Sequence, residues 1–283
     1  MTAVQAPARM ARRRVRTWLF HLGMPVLAAL WLFPLALVVI TSLRTFDDLA
    51  TSGLASLPQG LTADPYREAL ASGEWRSILN SLLITVPVVL VTLVLASMAA
   101  YGLARHRIPF RRTMLLLMLA GNLLPAQLLL IPVLKLTEQF GLFDSLIGMI
   151  VVQTAVGLGF YTFVLHGFMR GIPQELTQAA RMDGATTFGV YLRIILPLTK
   201  PALAALGSLC FTWTFNDLVW SITLLRSEDK LPVTPAILGM QGEFVSSWNV
   251  IAAATVIAAI PTVIVFLRFQ RYFISGLLIG SSR

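Results

Sequence analysis

Six long apolar runs, separated by shorter polar stretches, dominate the chain; they lie near residues 17–43, 78–104, 113–135, 142–168, 201–225 and 250–273. Each holds about 20 residues or more, the length an α-helix needs to cross the hydrocarbon core of a bilayer. Lipid offers the backbone no hydrogen-bond partner, so each run is expected to be helical. The pattern predicts an all-α polytopic membrane protein with six transmembrane helices. The first run stays apolar from Trp18 to Ile40 and no A-x-A site follows it. It is therefore expected to be a retained span and not a cleaved leader.

Lysine and arginine orient these spans. With the N-terminus inside, the inner side holds Arg9, Arg12, Arg13, Arg14 and Arg16, then Arg105, Arg107, Arg111 and Arg112. It also holds Arg170, Arg181, Arg193 and Lys200, and finally Arg268, Arg271 and Arg283. Only Arg44, Arg67, Arg76, Lys135, Arg226 and Lys230 of the 22 basic residues fall outside. Both termini are expected in the cytoplasm. The organisation that follows is a cytoplasmic N-terminal segment (1–16), a six-helix membrane domain (17–273) with a cytoplasmic loop at 169–200, and a cytoplasmic tail (274–283). The outer stretch from Arg44 to Ser77 has room for a short helix over 65–70 with Pro65 at its start. Its carboxylates Asp47, Asp48 and Asp64 are expected to be solvated.

Composition agrees. The 283 residues are 57% hydrophobic and 12% charged, with a mean hydropathy of +0.78. A soluble domain of this size carries about twice that share of charge. The net charge of +9 follows from topology and does not call for a nucleic-acid partner. The single cysteine, Cys210, excludes a disulfide framework and is expected as a small core residue.

The inner loop carries the most information. Residues 172–201 read IPQELTQAARMDGATTFGVYLRIILPLTKP. Pro173 suits a helix start, and Glu175 complements the dipole at the same end. Leu176, Ala179, Ala180 and Met182 are expected to form one small apolar face. Gly184 follows where a helix C-terminus wants positive φ. A second short helix is expected from about Thr187 to Leu196, ended by Pro197, with Pro201 opening the next span. The residues thus predict a bent hairpin at the cytoplasmic face. An ordinary interfacial hairpin would fit the same signals.

The stretch Gln178-Ala179-Ala180, then Gly184, Ile194, Leu196 and Pro197, resembles the EAA loop of ABC-importer permeases. Other segments resemble the same family: Asn80-Ser81-Leu82, the AAYGLAR run at 99–105, and Trp213-Thr214-Phe215-Asn216-Asp217. The tail at 270–277, QRYFISGL, resembles the carbohydrate branch, in particular the second membrane subunit of maltose-type importers. The resemblance covers nearly the whole chain and implies a type I ABC importer permease that translocates a sugar or oligosaccharide. It implies a second permease subunit, two ATPase subunits, an extracytoplasmic binding protein and a prokaryotic inner or plasma membrane. It further implies that Glu175, Gln178, Ala179, Ala180, Asp183, Gly184 and Ala185 couple the loop to the ATPase. The leading acidic residue of the motif is replaced by Gln178, so no ion pair is expected from that position. The C-terminal end, Ile279 to Arg283, departs slightly from the family's usual ending.

No G-x-x-x-x-G-K-[ST] loop and no G-x-S-x-G elbow occurs, and the backbone cradle for nucleotide phosphates is missing. The chain is expected to be a non-catalytic subunit without a cofactor or metal of its own, with ATP and Mg on the partner ATPases. His21, His106 and His166 have no metal-ligand spacing. Away from the ends of the expected spans Asp217 is the only acidic residue, and such groups are functional candidates. Asn122, Gln127, Gln153, Trp213, Asn216 and Asp217 are the candidates for the substrate path. Bonding between helices would account for the same polar residues. A non-sugar cargo, or an ion-coupled secondary carrier, also remains open at this point.

Overall fold

The computed structural model describes residues 6–54, 56–242 and 247–280. Among them the regular elements are all helical. In chain order they are α1 (Ala6–Thr41), α2 (Phe46–Ser52), α3 (Asp64–Ala71), α4 (Glu74–Arg105), α5 (Arg111–Leu123), α6 (Ala126–Gln139) and α7 (Leu146–Arg170). Then come α8 (Gln174–Met182), α9 (Thr187–Val190), α10 (Leu196–Phe215), α11 (Val219–Leu224), α12 (Val233–Gly239) and α13 (Trp248–Gly280). Five helices are long and apolar enough to cross a membrane, and a sixth crossing arises if α5 and α6 count as one bent span.

The chain forms two compact units. The first comprises residues 1–72 and 241–257. In α1 the residues from Gly23 to Ile40 are exposed or half-buried, so this apolar stretch is available to lipid or a partner, and burial begins only at Thr41. Just beyond it, Arg44 is fully buried. Its Nε donates to Asp48 Oδ2 (2.7 Å) and its Nη2 to Asp48 Oδ1 (3.0 Å). The remaining guanidinium protons reach Gly53 O, Ser56 O, Ser52 Oγ and Ser56 Oγ, so the buried charge is fully satisfied. Asp48 is therefore not solvated, contrary to expectation. The fork of Arg44 and the Ser52 hydroxyl hold its carboxyl well below the usual carboxylate range. Asn249 Nδ2 donates to Arg44 O (3.2 Å) and joins the start of α13 to this knot. The short helix expected over 65–70 is α3, with its proline in the first turn.

The second unit comprises residues 73–240 and 258–283. Here α4 packs along α7, and α10 lies against both. Ile84, Val88, Thr92, Ala96 and Ala100 of α4 are each at most 2% exposed. Their spacing of four makes one ridge, the i±4 row used in helix packing. Leu83, Leu90, Val94 and Met98 face outward. Gly159 of α7 lies under α5, where a Cβ would come within 2.9 Å of Met118 O.

Three boundaries differ from the sequence expectation. The third run is not straight: α5 and α6 meet at 98°. Pro125 forces Leu124 out of the helical region, to ψ 135°, and removes a donor. Pro132, in the same run, sits inside α6 without breaking it. Pro197 does not end the second hairpin helix, and Pro201 does not begin a span. A π-turn at Tyr191–Ile195, where Leu196 N–H reaches Tyr191 O, leads straight into α10. The widened turn relieves the clash between a proline ring and the preceding turn. One helix thus runs from Thr187 to Phe215. The fifth run then breaks at Asn216–Leu218 and resumes as α11.

Residues 226–233, which follow α11, are tied to α4 and to the turn that precedes α7. Asp144, at φ +50°, accepts from Arg226 N–H, Ser227 N–H and Lys230 Nζ at 2.9–3.0 Å. Asn80 Nδ2 donates to Asp229 O and Leu231 O, and Val233 N–H donates to Ser81 Oγ. The Asn80-Ser81 pair that opens the second run thus has a local structural task.

Candidate functional site

The hairpin at 169–200 is built from three local signals. Pro173 precedes α8, with Glu175 in its first turn. At the other end Ala185 N–H donates to Ala180 O (2.9 Å) and Gly184 N–H to Arg181 O (3.0 Å). This is the full Schellman pattern, and it requires a left-handed residue at Gly184, whose φ is +81°. A Cβ at Gly184 would meet nothing within 4 Å, so glycine is needed for its backbone alone. Thr186 Oγ1 then accepts from Gly189 N–H (3.1 Å) and opens α9.

Seven residues of the hairpin carry the coupling expectation. Glu175, Gln178, Ala179, Asp183 and Gly184 are exposed, Ala185 is half-buried and Ala180 is buried. The expected single apolar face is divided. Ala180 packs inward with Thr177, whereas Met182 is 88% exposed and Leu176 44%. Positions 180 and 182 lie about 200° apart on a helix, so they cannot share a face. The outward surface therefore combines Met182 and Leu176 with an acidic residue near each end of α8.

Sequence reasoning missed what holds the hairpin. Ser97, Tyr101 and Arg105 recur every four residues on α4 and so share one face. Ser97 Oγ and Tyr191 Oη share a buried hydrogen bond (2.7 Å). Tyr101 Oη donates to Thr187 O (3.0 Å), and its ring lies 5.2 Å from that of Tyr191. Arg105 Nη2 donates to Met169 O (3.0 Å) and Ile172 O (2.8 Å). Met169 lies in the last turn of α7 and Ile172 just beyond it, where the helix C-terminus favours positive charge. One face of α4 thus grips the hairpin at both ends. The visible signal was polar residues at a spacing of four inside an apolar run.

Of the path candidates, Gln153 and Asp217 come together, as do Trp213 and a residue not foreseen, Phe160. Gln153 of α7 neighbours the Asp217 carboxylate, and its buried Nε2 closes no hydrogen bond. Asp217 Oδ2 accepts from Ser221 N–H (3.0 Å), which caps α11 across the break. Trp213 is 57% exposed and its ring lies 5.6 Å from Phe160 of α7. Asn216 is exposed and bonds back to Thr212 O (2.7 Å). Asn122 bonds to Met118 O on its own helix (3.0 Å), and Gln127 is exposed on the first turn of α6, beyond the bend. No hydrogen bond joins either to Gln153 or Asp217 among the described residues. Nor do three or more His, Cys, Asp or Glu among those residues converge as a metal site would. The side chains of the 273–277 part of the tail motif lie outside the described residues.

The chain thus combines several helices long enough to cross a membrane with a hydrogen-bonded hairpin between two of them. Residues 78–278 match the family of binding-protein-dependent transport system inner membrane components, and the chain belongs to that family. It is 37% identical over 234 residues to the alpha-glucoside transport system permease protein AglG of Rhizobium meliloti, covering 80% of this chain and 62% of AglG. It is 32% identical to the osmoprotective compounds uptake permease protein GgtD of Synechocystis, covering 92% of this chain and 90% of that one. In fold it resembles a chain of a bacterial ABC transporter that imports the polysaccharide alginate. That match has a TM-score of 0.82 at 24% identity, over 96% of this chain and all of the other.

Proposed function

We propose that this chain is one of two permease subunits of an ABC importer that carries a sugar or oligosaccharide into a prokaryotic cell. Both termini lie in the cytoplasm, and an extracytoplasmic binding protein delivers the cargo. Two separate ATPase subunits, which hold ATP and Mg, dock on the 169–200 hairpin. The hairpin carries the reading. Its outward surface is exposed, its bend is fixed by a Schellman turn, and its inward side is gripped by α4 and continues without interruption into α10. A push on α8 would therefore move two membrane helices together and would not be absorbed by a loose loop. The family and the alpha-glucoside relative support the transport class and the sugar.

The Gln153–Asp217 pair and the Phe160–Trp213 pair give the α7–α10 seam amide, carboxylate and aromatic surface. Such groups suit sugar hydroxyls and the apolar face of a sugar ring. Asn216 and the residues flanking the α5–α6 bend, Asn122 and Gln127, complete this proposed path.

The test replaces Gly184 by valine. A β-branched residue at positive φ costs at least about 1–2 kcal/mol, and the empty space around Gly184 leaves the rest of the fold undisturbed. Sugar uptake and recovery of the ATPase subunits with the permease are expected to fall together. Undiminished uptake would remove the coupling role. A relative named for osmoprotective compounds favours a second cargo class, and competition of uptake by sugars against such solutes separates the two.

A further inference from the structure

The loop between α4 and α5 has no part in the coupling reading. Residues 106–112 read His-Arg-Ile-Pro-Phe-Arg-Arg, and no carboxylate occurs between Glu74 and Glu138. Arg107 and Arg112 are exposed, while Arg111 is half-buried and donates to Leu103 O (3.3 Å). With Ile108, Pro109 and Phe110 they line an open concavity of about 640 Å³. None of the four ion pairs among the described residues includes these arginines.

Phe110 is 81% exposed and has φ +55°. A bulky L residue rarely adopts that conformation, and a backbone strained in this way points to a task. Here the strain presents an aromatic ring outward between cationic side chains. The loop joins two apolar helices that both enter the bilayer, so it lies at the membrane surface. At that depth an aromatic ring is favoured, and arginines face lipid phosphates.

We propose that the 106–112 loop is a binding site for an anionic phospholipid, with Arg107 and Arg112 taking the headgroup phosphate and Phe110 lodging among the first acyl carbons. An acidic protein surface would match the arginines, but the ring beside two membrane entries favours lipid. A free phosphate would leave the ring without a role. The site pins the inner end of α4 to the membrane, next to the residues that grip the hairpin.

The test uses the full-length chain, purified with the subunits that accompany it, in phosphatidylcholine nanodiscs with increasing phosphatidylglycerol. Native mass spectrometry reads the phosphatidylglycerol retained. Replacing both arginines (R107Q with R112Q) is expected to weaken retention about fivefold for each charge removed. The R107K/R112K pair should keep most of it, and Phe110→Ser should lose part. Inorganic phosphate and glycerol phosphate should not compete. If the glutamine variants aggregate, F110W in the otherwise intact chain supplies a second readout. Its added fluorescence over the six native tryptophans should be quenched by phosphatidylglycerol labelled near the headgroup. Wild-type retention in the R107Q/R112Q variant would overturn the proposal. Competition by inorganic phosphate, or loss of the ATPase subunits with retention unchanged, would do the same.

Discussion

Arg44 shows how a single charge can organise an extramembrane segment. A guanidinium with no exposed surface is costly unless every donor is met, and here Asp48, two serines and two carbonyls meet them. The carboxyl of Asp48 is held below its usual range in the folded state. It therefore contributes stability that is fully present above the ordinary carboxylate pKa. That contribution is lost as pH falls from there toward the lower folded value. Asp48→Asn is expected to lower the melting temperature at neutral pH and to remove part of the acid-side loss. Thermal scans of both proteins across the acid range check this. Equal pH slopes in the two proteins would show that the pair does not control that branch. The sequence did not reveal the knot, because Asp48 lies in a polar outer stretch where solvation is the ordinary outcome. Its partner was visible only as one more arginine beyond a span.

At the scale of elements, the link between α4 and the hairpin should be separable from the fold. Tyr101 and Arg105 hold backbone carbonyls of the hairpin and of the end of α7. Tyr101→Phe removes one hydrogen bond, worth about 1 kcal/mol, and keeps the ring packing. Arg105→Gln removes two charge-assisted bonds, each about 1.5–3 kcal/mol. Hydrogen exchange is expected to speed up at residues 169–190 and to stay unchanged in the buried part of α4. The Arg105 variant should show the larger effect. Uniform acceleration across the chain would mean that these residues hold the fold and not the hairpin. The helices themselves were legible from apolar run length, and the turn at Gly184 from the need for positive φ. The route from α9 into α10 was not. Pro197 and Pro201 mark ends by local rule, yet the π-turn before Pro197 leads straight into α10, which carries Pro201 in its interior without a break. The bend at Pro125 was hidden for the opposite reason, since Pro132 in the same run leaves its helix whole. The path residues were visible as polar positions in apolar runs, but pairing them required the register of α7 against α10.

For the whole molecule, function depends on which side of the membrane the hairpin faces. On the proposed reading an ATPase subunit meets the chain at the hairpin, and α8 offers the exposed surface. Met182 is the useful probe, being 88% exposed at the end of α8. The only native cysteine, Cys210, is 2% exposed, which keeps background labelling low. A Met182→Cys variant is expected to react with a membrane-impermeant maleimide in inverted vesicles and to resist it in intact cells. Assembly with the ATPase subunits should then slow that reaction, because the docked subunit covers the same face. Labelling from the outside would reverse the topology, and with it the assignment of the basic loops. Unchanged labelling on assembly would leave the topology standing but move the docking surface away from α8. The two outcomes thus separate the orientation of the chain, which rests on its distribution of arginine and lysine, from the coupling role, which rests on one bent hairpin.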